Sequence, residues 1–365
     1  MSIFQSYILY YFIVFFTSLI VFLSGLLKQA KVSNSLTKLI FWSALILPVA
    51  FSGLRYGIGT DFFNYTDIYY RLTSSGNFIN HFVNTRFEPG WILLNQIVKL
   101  IFNDVQYLFI ITSLLIWIFN FKAIYDNRNK MSIAIAMFIL LSTLYNPSFN
   151  TIRQSLAASV LMLAIKPILE KRPIKFYLII LFAISFHYTA IVFLPAYWIT
   201  NSRIKNVTFL KNISVIVGTI LFVILTPKLL TFVTSFDSLS YYSHYELEFE
   251  NFGIGKIIIK LPIIIIIIFN LKRFKNNSPM SKLIIFYFIG IILEYYSYFA
   301  SYVNRIAIYY EMIQIFILAA IVKVQTNKYE KLLYSAIIVI YFTSWFTYNY
   351  IYLNRHQTIP YIWDL

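Results

Sequence analysis

Long runs of apolar residues, separated by short polar loops, dominate the pattern along the chain. Ten runs have the length and apolarity expected of membrane-spanning helices, because about 20 such residues cross the hydrocarbon core of a bilayer. These predicted spans lie near residues 7–27, 39–54, 105–124, 131–146, 152–169, 207–226, 257–271, 283–300, 306–322 and 332–352. The pattern predicts an all-α, polytopic transmembrane helix bundle with roughly 10–12 spans, in a single integral membrane domain over residues 1–365.

Two apolar stretches depart from the pattern of a simple span. The run at 176–199 is interrupted by His187 at its centre, and basic residues lie on both flanks. We expect it to form a helical hairpin that enters and leaves on the same side. The run at 88–102 has only about fifteen residues and contains polar side chains, which is typical of a re-entrant or interfacial helix.

Composition supports the membrane class and excludes others. Apolar residues make up 59% of the 365 residues and charged residues only 12%, which leaves too little polar surface for a soluble domain. The chain has no cysteine, so a disulfide framework, a thiolate metal site and a thiol nucleophile are excluded. The net charge of +16 does not indicate nucleic-acid binding, because the basic residues lie in short loops and not on one soluble face.

The basic residues predict the topology. Loops 28–38, 122–130, 166–175, 203–211, 272–282 and 323–331 hold 20 of the 30 lysines and arginines, and such loops are retained on the cytoplasmic side. One alternating path places all six inside, with an outside N-terminus and outer loops near 55–90 and 227–256. The first segment has no basic residue before Lys28, so it lacks the charged start of a signal peptide, and we expect it to remain in the mature chain.

Arginines depart from this distribution, since several fall on the predicted outer side. A guanidinium binds phosphate or carboxylate with two parallel hydrogen bonds, which gives a reason for arginine where topology disfavours a cation. The outer set also includes acids, and together these charges predict a polar site at the outer mouth of the bundle. The outer arginines are Arg55, Arg71, Arg86, Arg153, Arg305 and Arg355.

The stretch "GLRYGIGTDFFNY" concentrates several of these groups after the second predicted span. Gly57 and Gly59 allow a sharp turn whose amide N–H groups face an anion, although a tight turn alone would need the same residues. Arg55 stands at the membrane end of the span, and Asp61 and Tyr65 follow. Simple loop ion pairs of Asp61 and Asp67 with Arg55 and Arg71 are the alternative interpretation.

Four further segments carry candidate site residues. Glu88 precedes the Pro-Gly that begins a short helix, where it serves either as a helix-start acid or as a carboxylate facing substrate. Arg153 and Gln154 begin a span, and an arginine one turn inside a membrane helix rarely faces lipid. His187 is expected at the apex of the hairpin, as a buried structural histidine or a substrate-facing one.

The last of these segments, "NRIAIYY", places Arg305 at an outer helix end and Tyr309 one turn deeper. Glu294 and Glu311 lie within predicted spans, where an ionised acid is costly unless it is paired. We expect an internal ion pair with an arginine for at least one of them. No histidine or acid stands near His187 at the spacing of metal ligands, so no metal site is predicted.

The segments "GLRYGIGTDFFNY", "EPGWILLN", "NTIRQSLA", "SFHYTAIVFLP" and "NRIAIYY" resemble, in this order, the EpsG family of Wzy-type polysaccharide polymerases. The resemblance covers about Gly53 to Tyr310. It implies polymerisation of oligosaccharide repeat units carried on undecaprenyl diphosphate, at the outer face of the bacterial plasma membrane. The products would be capsule, O-antigen or exopolysaccharide. It implies no cofactor, and as partners the lipid-linked glycan, the bilayer, a flippase and a chain-length regulator.

The residues fit this chemistry. Arginines at outer helix ends suit a lipid diphosphate and the negative charge that develops on it as it leaves. We assign Arg55, Arg153 and Arg305 to the diphosphate, Asp61 or Glu88 to the base or to acceptor orientation, and His187 as a secondary candidate for either task. Gly57, Gly59, Tyr65, Gln154 and Tyr309 complete the predicted substrate-binding set.

Three alternatives remain from the sequence. A lipid-linked oligosaccharide flippase has similar composition, but no internal repeat is visible in this chain. A membrane O-acyltransferase has a histidine within the membrane, and His187 keeps that option open. A glycan ligase uses nearly the same chemistry as a polymerase, and the sequence does not separate the two.

Overall fold

The apolar runs fold as α-helices in a computed structural model, which describes residues 1–74, 76–201, 217–218, 255–297 and 303–362. The first half of the chain forms α1 (Ile3–Gln29), α2 (Asn34–Ser43), α3 (Ile46–Gly53), α4 (Phe62–Ser74), α5 (Phe78–Asn84), α6 (Pro89–Phe102), α7 (Gln106–Asp126), α8 (Ile133–Leu144) and α9 (Ile152–Met162). The remainder forms α10 (Ile165–Leu169), α11 (Pro173–Ile184), α12 (Ala196–Asn201), α13 (Gly255–Asn277), α14 (Ile284–Tyr296), α15 (Asn304–Glu311), α16 (Gln314–Val324) and α17 (Lys328–Phe346).

Six helical segments of the described chain are long and apolar enough to cross a membrane. They are Ile3–Gln29, Asn34–Gly53, Gln106–Asp126, Ile152–Leu169, Pro279–Tyr296 and Asn304–Val324. These segments, and the absence of β-strands from the described residues, confirm the predicted all-α polytopic membrane bundle.

The six segments are fewer than the predicted spans, and two of the reasons are visible in the structure. Helix α8 has only 12 residues, because the chain turns into a 3₁₀ segment at Asn146–Phe149. Helix α13 has 23 residues but carries Lys260 within its apolar stretch. The predicted span 207–226 and the acidic, tyrosine-rich segment 236–253 lie outside the described residues, apart from 217–218.

Two helices, α8 and α16, form the centre of the bundle. Side chains on every face of α8 are buried between Ile135 and Thr143, and those of α16 are buried from Gln314 to Val322. A helix that is apolar all round has no solvent or lipid face, so its neighbours must surround it. Helices α1, α16 and α17 pack against α8.

A second, smaller core fastens the outer loop segment to the bundle. Phe62 of α4 stacks on Phe109 of α7 with ring centroids 4.4 Å apart, and Tyr65 packs edge-on against Trp91 of α6 at 5.5 Å. These rings and Ile152 of α9 belong to one buried cluster. Because α4, α6, α7 and α9 meet there, the start of α6 is held beside the start of α9.

Among the described residues, loops predicted for the two sides of the membrane lie at opposite ends of α1. At one end the N-terminal amine donates to Tyr361 O at 3.2 Å, and Tyr56 N donates to Ile362 O at 3.1 Å. At the other end Lys28 Nζ donates to Asn129 at 3.2 Å. The first end holds segments that the charge count predicts to be external, and the second holds predicted cytoplasmic loops.

The segment that follows α10 folds as the hairpin expected at 176–199. Helix α11 leads away from α10, a 3₁₀ turn at Tyr188–Phe193 reverses the chain, and α12 returns. Asn201 Nδ2 donates to Ile168 O at 3.0 Å, so both ends of the hairpin lie beside α10. His187 stands at the apex, as predicted.

Candidate active site

Glu88 lies at the start of α6 with its carboxylate turned away from that helix. Its backbone is extended (φ −67°, ψ 144°), and the side chain makes no capping hydrogen bond to the described N–H groups of α6. The carboxylate is 3% exposed and is bound by residues from two other segments. Glu88 is thus the N-cap residue of α6, but its carboxylate binds Arg153 and His187 and does not cap the helix.

Arg153 binds one oxygen of this carboxylate from the first turn of α9. Arg153 Nη1 lies 2.6 Å from Glu88 Oε2, and the guanidinium stands over the Phe87 ring at 5.2 Å. The Tyr65 hydroxyl is also within hydrogen-bonding reach of Arg153. Glu88 anchors the guanidinium, and 24% of the Arg153 side chain remains exposed.

His187 binds the second oxygen from the apex of the hairpin. Its Nδ1 lies 2.8 Å from Glu88 Oε1, while Nε2 is buried and has no hydrogen-bond partner among the described residues. A carboxylate accepts hydrogen bonds, so Nδ1 carries the proton and neutral His187 keeps a lone pair on Nε2. The carboxylate thus fixes both the tautomer and the ring orientation, as second partners of catalytic histidines do. We call Glu88, Arg153 and His187 the Glu88 cluster.

Gly90 allows the two chain segments of the cluster to meet. Gly90 N donates to Ser185 O at 2.7 Å, which joins the start of α6 to the end of α11. A Cβ atom on Gly90 would stand 2.8 Å from Ser185 O, closer than real Cβ contacts. The Glu-Pro-Gly sequence therefore has a structural reason: Pro89 begins the helix, and Gly90 admits the hairpin that carries His187.

The surroundings keep Glu88 ionised. Burial raises the pKa of the carboxyl, but the hydrogen bond from His187 and the charge of Arg153 outweigh burial, so the pKa lies below its ordinary value of 4.5. A carboxylate with a low pKa is a weak proton acceptor at neutral pH. Its chemistry is therefore to hold Arg153 and orient His187.

Gln154 connects the Glu88 cluster to a neighbouring cavity. Its Nε2 donates to the backbone oxygen of Arg305 at 2.6 Å, which ties α9 to α15. The Arg305 side chain is exposed and lines a cavity of about 360 Å³ together with Gln154. Tyr309, one turn deeper, is buried, and its hydroxyl lies 3.0 Å from Thr189 Oγ1 of the hairpin.

Arg55 lies apart from this arrangement, in contrast to its predicted place on the diphosphate. Its side chain is sandwiched between Phe109 and Phe149, with centroid distances of 5.0 and 4.7 Å. The guanidinium donates to Ser52 O and to Phe149 O. Burial lowers the pKa of Arg55 to about 10, so it stays charged at neutral pH. At 2% exposure it anchors the loop after α3 and does not face a ligand.

The glycine turn also differs from the expectation of a free anion nest. Gly57 and Gly59 adopt φ values of +61° and +91°, which favour glycine. However, Gly59 N donates to Gln357 O at 3.2 Å, so this amide holds the C-terminal tail. Asp61 is half-buried in the turn, and its carboxylate accepts from Thr60 at 3.3 Å. The structure does not bring Asp61 into the Glu88 cluster, nor into an ion pair with Arg55.

The expected ion pair of the intramembrane acids involves a lysine and not an arginine. Lys260 Nζ lies 2.8 Å from Glu294 Oε2 and 3.0 Å from Glu311 Oε1. All three residues line the cavity that contains Arg305, as do Arg355 and His356 of the C-terminal tail. The sequence pattern alone gives Lys260 and His356 no role. For Lys260 the available signal was a lysine within an apolar run; for His356 there was none.

A search of curated proteins and of solved structures finds no match to this chain. The sequence model of the EpsG family matches residues 37–363, which is nearly the whole chain and includes every member of the Glu88 cluster. The chain therefore belongs to the EpsG family, a family of Wzy-like polysaccharide polymerases.

Proposed function

We propose that this protein polymerises oligosaccharide repeat units carried on undecaprenyl diphosphate, at the outer face of the bacterial plasma membrane. The family and the membrane-spanning helices support a polysaccharide polymerase in a bilayer. The finer assignment rests on one observation, the Glu88 cluster. It combines a carboxylate, a partly exposed arginine side chain and an oriented imidazole at the predicted external end of the bundle.

The reaction needs a base and a stabilised leaving group. A hydroxyl oxygen of the acceptor glycan attacks the anomeric carbon of the sugar that is attached to the lipid diphosphate. The bond between that carbon and the diphosphate oxygen breaks, a glycosidic bond forms, and undecaprenyl diphosphate leaves with the electron pair. The hydroxyl proton must pass to an acceptor, and a positioned side chain is the one we assign.

We assign the role of proton acceptor to His187, whose buried Nε2 must become accessible when the acceptor glycan binds. Its Nε2 lone pair is fixed by the bond between Nδ1 and Glu88, in the same way that a buried carboxylate orients the histidine of a hydrolase triad. Glu88 itself is held ionised by two donors, and its lowered pKa makes it the weaker base. We therefore give Glu88 the positioning role and His187 the role of base. Asp61 belongs to neither.

Arg153 and Arg305 suit the diphosphate. Arg153 is held in place by Glu88, and its side chain is 24% exposed, so we assign it to an oxyanion of the diphosphate. Arg305 is exposed at the rim of the adjacent cavity, and its backbone is bound by Gln154, the next residue after Arg153. Fixed donors of this kind stabilise the charge that grows on the leaving diphosphate.

Lipid-linked glycans in cells that express Arg153→Lys test this proposal. Lysine keeps the positive charge but loses the planar fork, so we expect the variant to accumulate in the membrane and to make little long polymer. Single repeat units on undecaprenyl diphosphate should accumulate in the outer leaflet. The matched control is Arg128→Lys, at the predicted cytoplasmic end, which should leave chain length unchanged.

The location and size of the accumulated glycan separate the alternatives. Units trapped in the inner leaflet would indicate a flippase. Polymer of normal length that lacks acyl groups would indicate an O-acyltransferase. Normal polymer that stays on its lipid, untransferred to a final acceptor, would indicate a ligase. Each of these results would refute the polymerase.

A further inference from the structure

Three ionisable side chains meet at the floor of the cavity beside the Glu88 cluster. Lys260 of α13 lies between Glu294 of α14 and Glu311 of α15, and the exposed fractions of the three side chains are 11%, 23% and 18%. We call these residues the floor triad. If all three were ionised the triad would carry a charge of −1, so the floor is rich in hydrogen-bond acceptors.

Close helix packing brings the two acids together. A Cβ atom on Gly290 of α14 would lie 2.8 Å from Glu311 N of α15, so only glycine permits this approach. Glu294 follows Gly290 by one turn, which places its carboxylate next to that of Glu311. The packing of α14 against α15 therefore determines the positions of the two acids, and no loop is needed to hold them.

Stability does not explain such a triad. Buried ion pairs can be replaced by apolar side chains with little loss, and often with a gain, because removing charges from water is costly. Ionisable residues within membrane helices are instead typical of binding or transport sites. All three members line the cavity wall, so they are placed to bind a ligand in it.

The rest of the cavity is suited to a glycosyl diphosphate. Arg305 and Arg355 also line it, and Arg305 precedes Glu311 by six residues of α15, or about 9 Å along a helix. Trp345 and Tyr350 form part of the wall, with ring centroids 5.2 Å apart. The apolar faces of sugar rings pack against such aromatic surfaces, while sugar hydroxyls bind carboxylates and ammonium groups.

The size of the cavity limits the ligand. About 360 Å³ lies near the lower end of the roughly 300–1,000 Å³ typical of small-molecule sites. This volume suits a single sugar with its linkage and not a complete repeat unit. The positive charge of the arginines and the hydroxyl-binding groups of the triad match a sugar attached directly to a diphosphate.

We propose that this cavity is a sugar-binding subsite for the sugar attached to the lipid diphosphate, with the floor triad binding its hydroxyl groups. The inference rests on the proposed function, and it assigns substrate recognition to Lys260, Glu294 and Glu311. The diphosphate stays at Arg305, and the ring of the sugar lies between the aromatic wall and the triad.

Two lipid probes and the variant Glu311→Gln test the subsite. The full-length protein in nanodiscs is titrated with undecaprenyl diphosphate, which has no sugar, and with the undecaprenyl-diphosphate-linked repeat unit. Glutamine keeps the shape of the side chain, and Lys260 retains Glu294 as its partner. We expect the variant to bind the sugar-carrying lipid about tenfold more weakly, as for a lost charge-assisted hydrogen bond, and the sugar-free lipid as tightly as the wild type does.

Control variants and the sugar-free probe make each outcome decisive. Glu330→Gln removes the carboxylate that pairs with Arg273 at the predicted cytoplasmic end, and it should change neither affinity. Trp345→Leu removes part of the aromatic wall without a change of charge, and it should also weaken only the sugar-carrying lipid. Equal loss for both probes, or no loss for either, would overturn the subsite. A wild-type protein that binds the sugar-carrying lipid but never extends it would refute the polymerase and leave the subsite standing.

Discussion

Replacing Glu88 by glutamine changes the proton arrangement of the Glu88 cluster while it preserves the shape of the side chain. An amide offers one acceptor and one donor, whereas Arg153 and His187 both donate to the native carboxylate. If the amide oxygen faces Arg153, the amide nitrogen donates to His187 Nδ1. The histidine proton then moves to Nε2, and the lone pair proposed to accept the substrate proton is lost.

The contacts give the size of the expected effects. Loss of a general base lowers rates by about 10²–10⁴-fold, so we expect chain growth by Glu88→Gln to fall within that range. Hydrogen bonds to charged groups contribute about 1.5–3 kcal/mol each, and the neutral amide keeps part of both. Because 24% of Arg153 is exposed and water partly replaces the lost partner, we expect a loss in stability of about 2 kcal/mol.

The assay compares wild type, Glu88→Gln and Glu88→Asp as purified full-length proteins in nanodiscs. The initial rate of extension of the lipid-linked repeat unit and the midpoint of thermal unfolding are measured for each. Aspartate keeps the charge and both acceptors, so it should retain more activity than glutamine, although it is shorter. If Glu88→Gln extends the glycan within threefold of the wild-type rate, the proposed orientation of His187 by Glu88 is wrong.

The same cluster predicts a pH dependence. The pKa of Glu88 is lower in the folded protein than the ordinary 4.5, so the ionised carboxylate stabilises the fold above about pH 4.5. That contribution is lost as the pH falls through the folded pKa. The difference in unfolding midpoint between wild type and Glu88→Gln should therefore shrink below pH 4.5. A difference that stays constant to pH 3 would contradict the lowered pKa.

Four further results are expected. Arg55→Lys should reduce the amount of folded protein, because lysine cannot bridge the two carbonyls between the aromatic rings; normal accumulation with lost activity would instead place Arg55 in the site. Gly59→Ala should cost about 1–3 kcal/mol, since φ is +91° and the new Cβ would meet the Asn150 side chain, and an unchanged unfolding midpoint would refute this. Burial lowers the pKa of His356 to about 4, so folding stability should decline as the pH falls from 6.5 towards 4. His356→Asn should reduce this decline, and thermal unfolding midpoints measured across that pH range test it. Because the chain has no cysteine, a single cysteine introduced at Arg128 should react only with membrane-permeant reagents, and labelling from outside would overturn the topology.

Local properties of the sequence determined the class of the protein and its secondary structure. Run length and apolarity predict helices, since backbone groups in a bilayer must bond within their own segment. The hairpin followed from His187 and the basic flanks, and the short helix at 88–102 followed from its length. The family resemblance rested on short segments that need no knowledge of contacts, and the family match confirmed it.

Most of the candidate site residues could be identified because charged and polar side chains are energetically unfavourable in a membrane, but their partners could not. Glu88, Arg153 and His187 were each predicted from the cost of charge or polarity beside apolar runs. Their grouping joins positions that are 65 and 99 residues apart. Only the packing of α6, α9 and the hairpin brings them together, and this packing is the reason that we propose Glu88 as a positioning residue and not as the base.

Tertiary structure alone separated groups that look alike in the sequence. Arg55 follows an apolar run and Arg153 follows a polar turn, and both are predicted on the outer side. In the structure, the Arg55 side chain is enclosed by aromatic rings, whereas the Arg153 side chain is 24% exposed. In the sequence, Lys260 is a lysine within an apolar run. In the structure it pairs with Glu294 and Glu311, because Gly290 allows their two helices to pack closely. The physical reason is that apolarity and charge are properties of single residues, whereas burial and pairing depend on which distant helices share an interface.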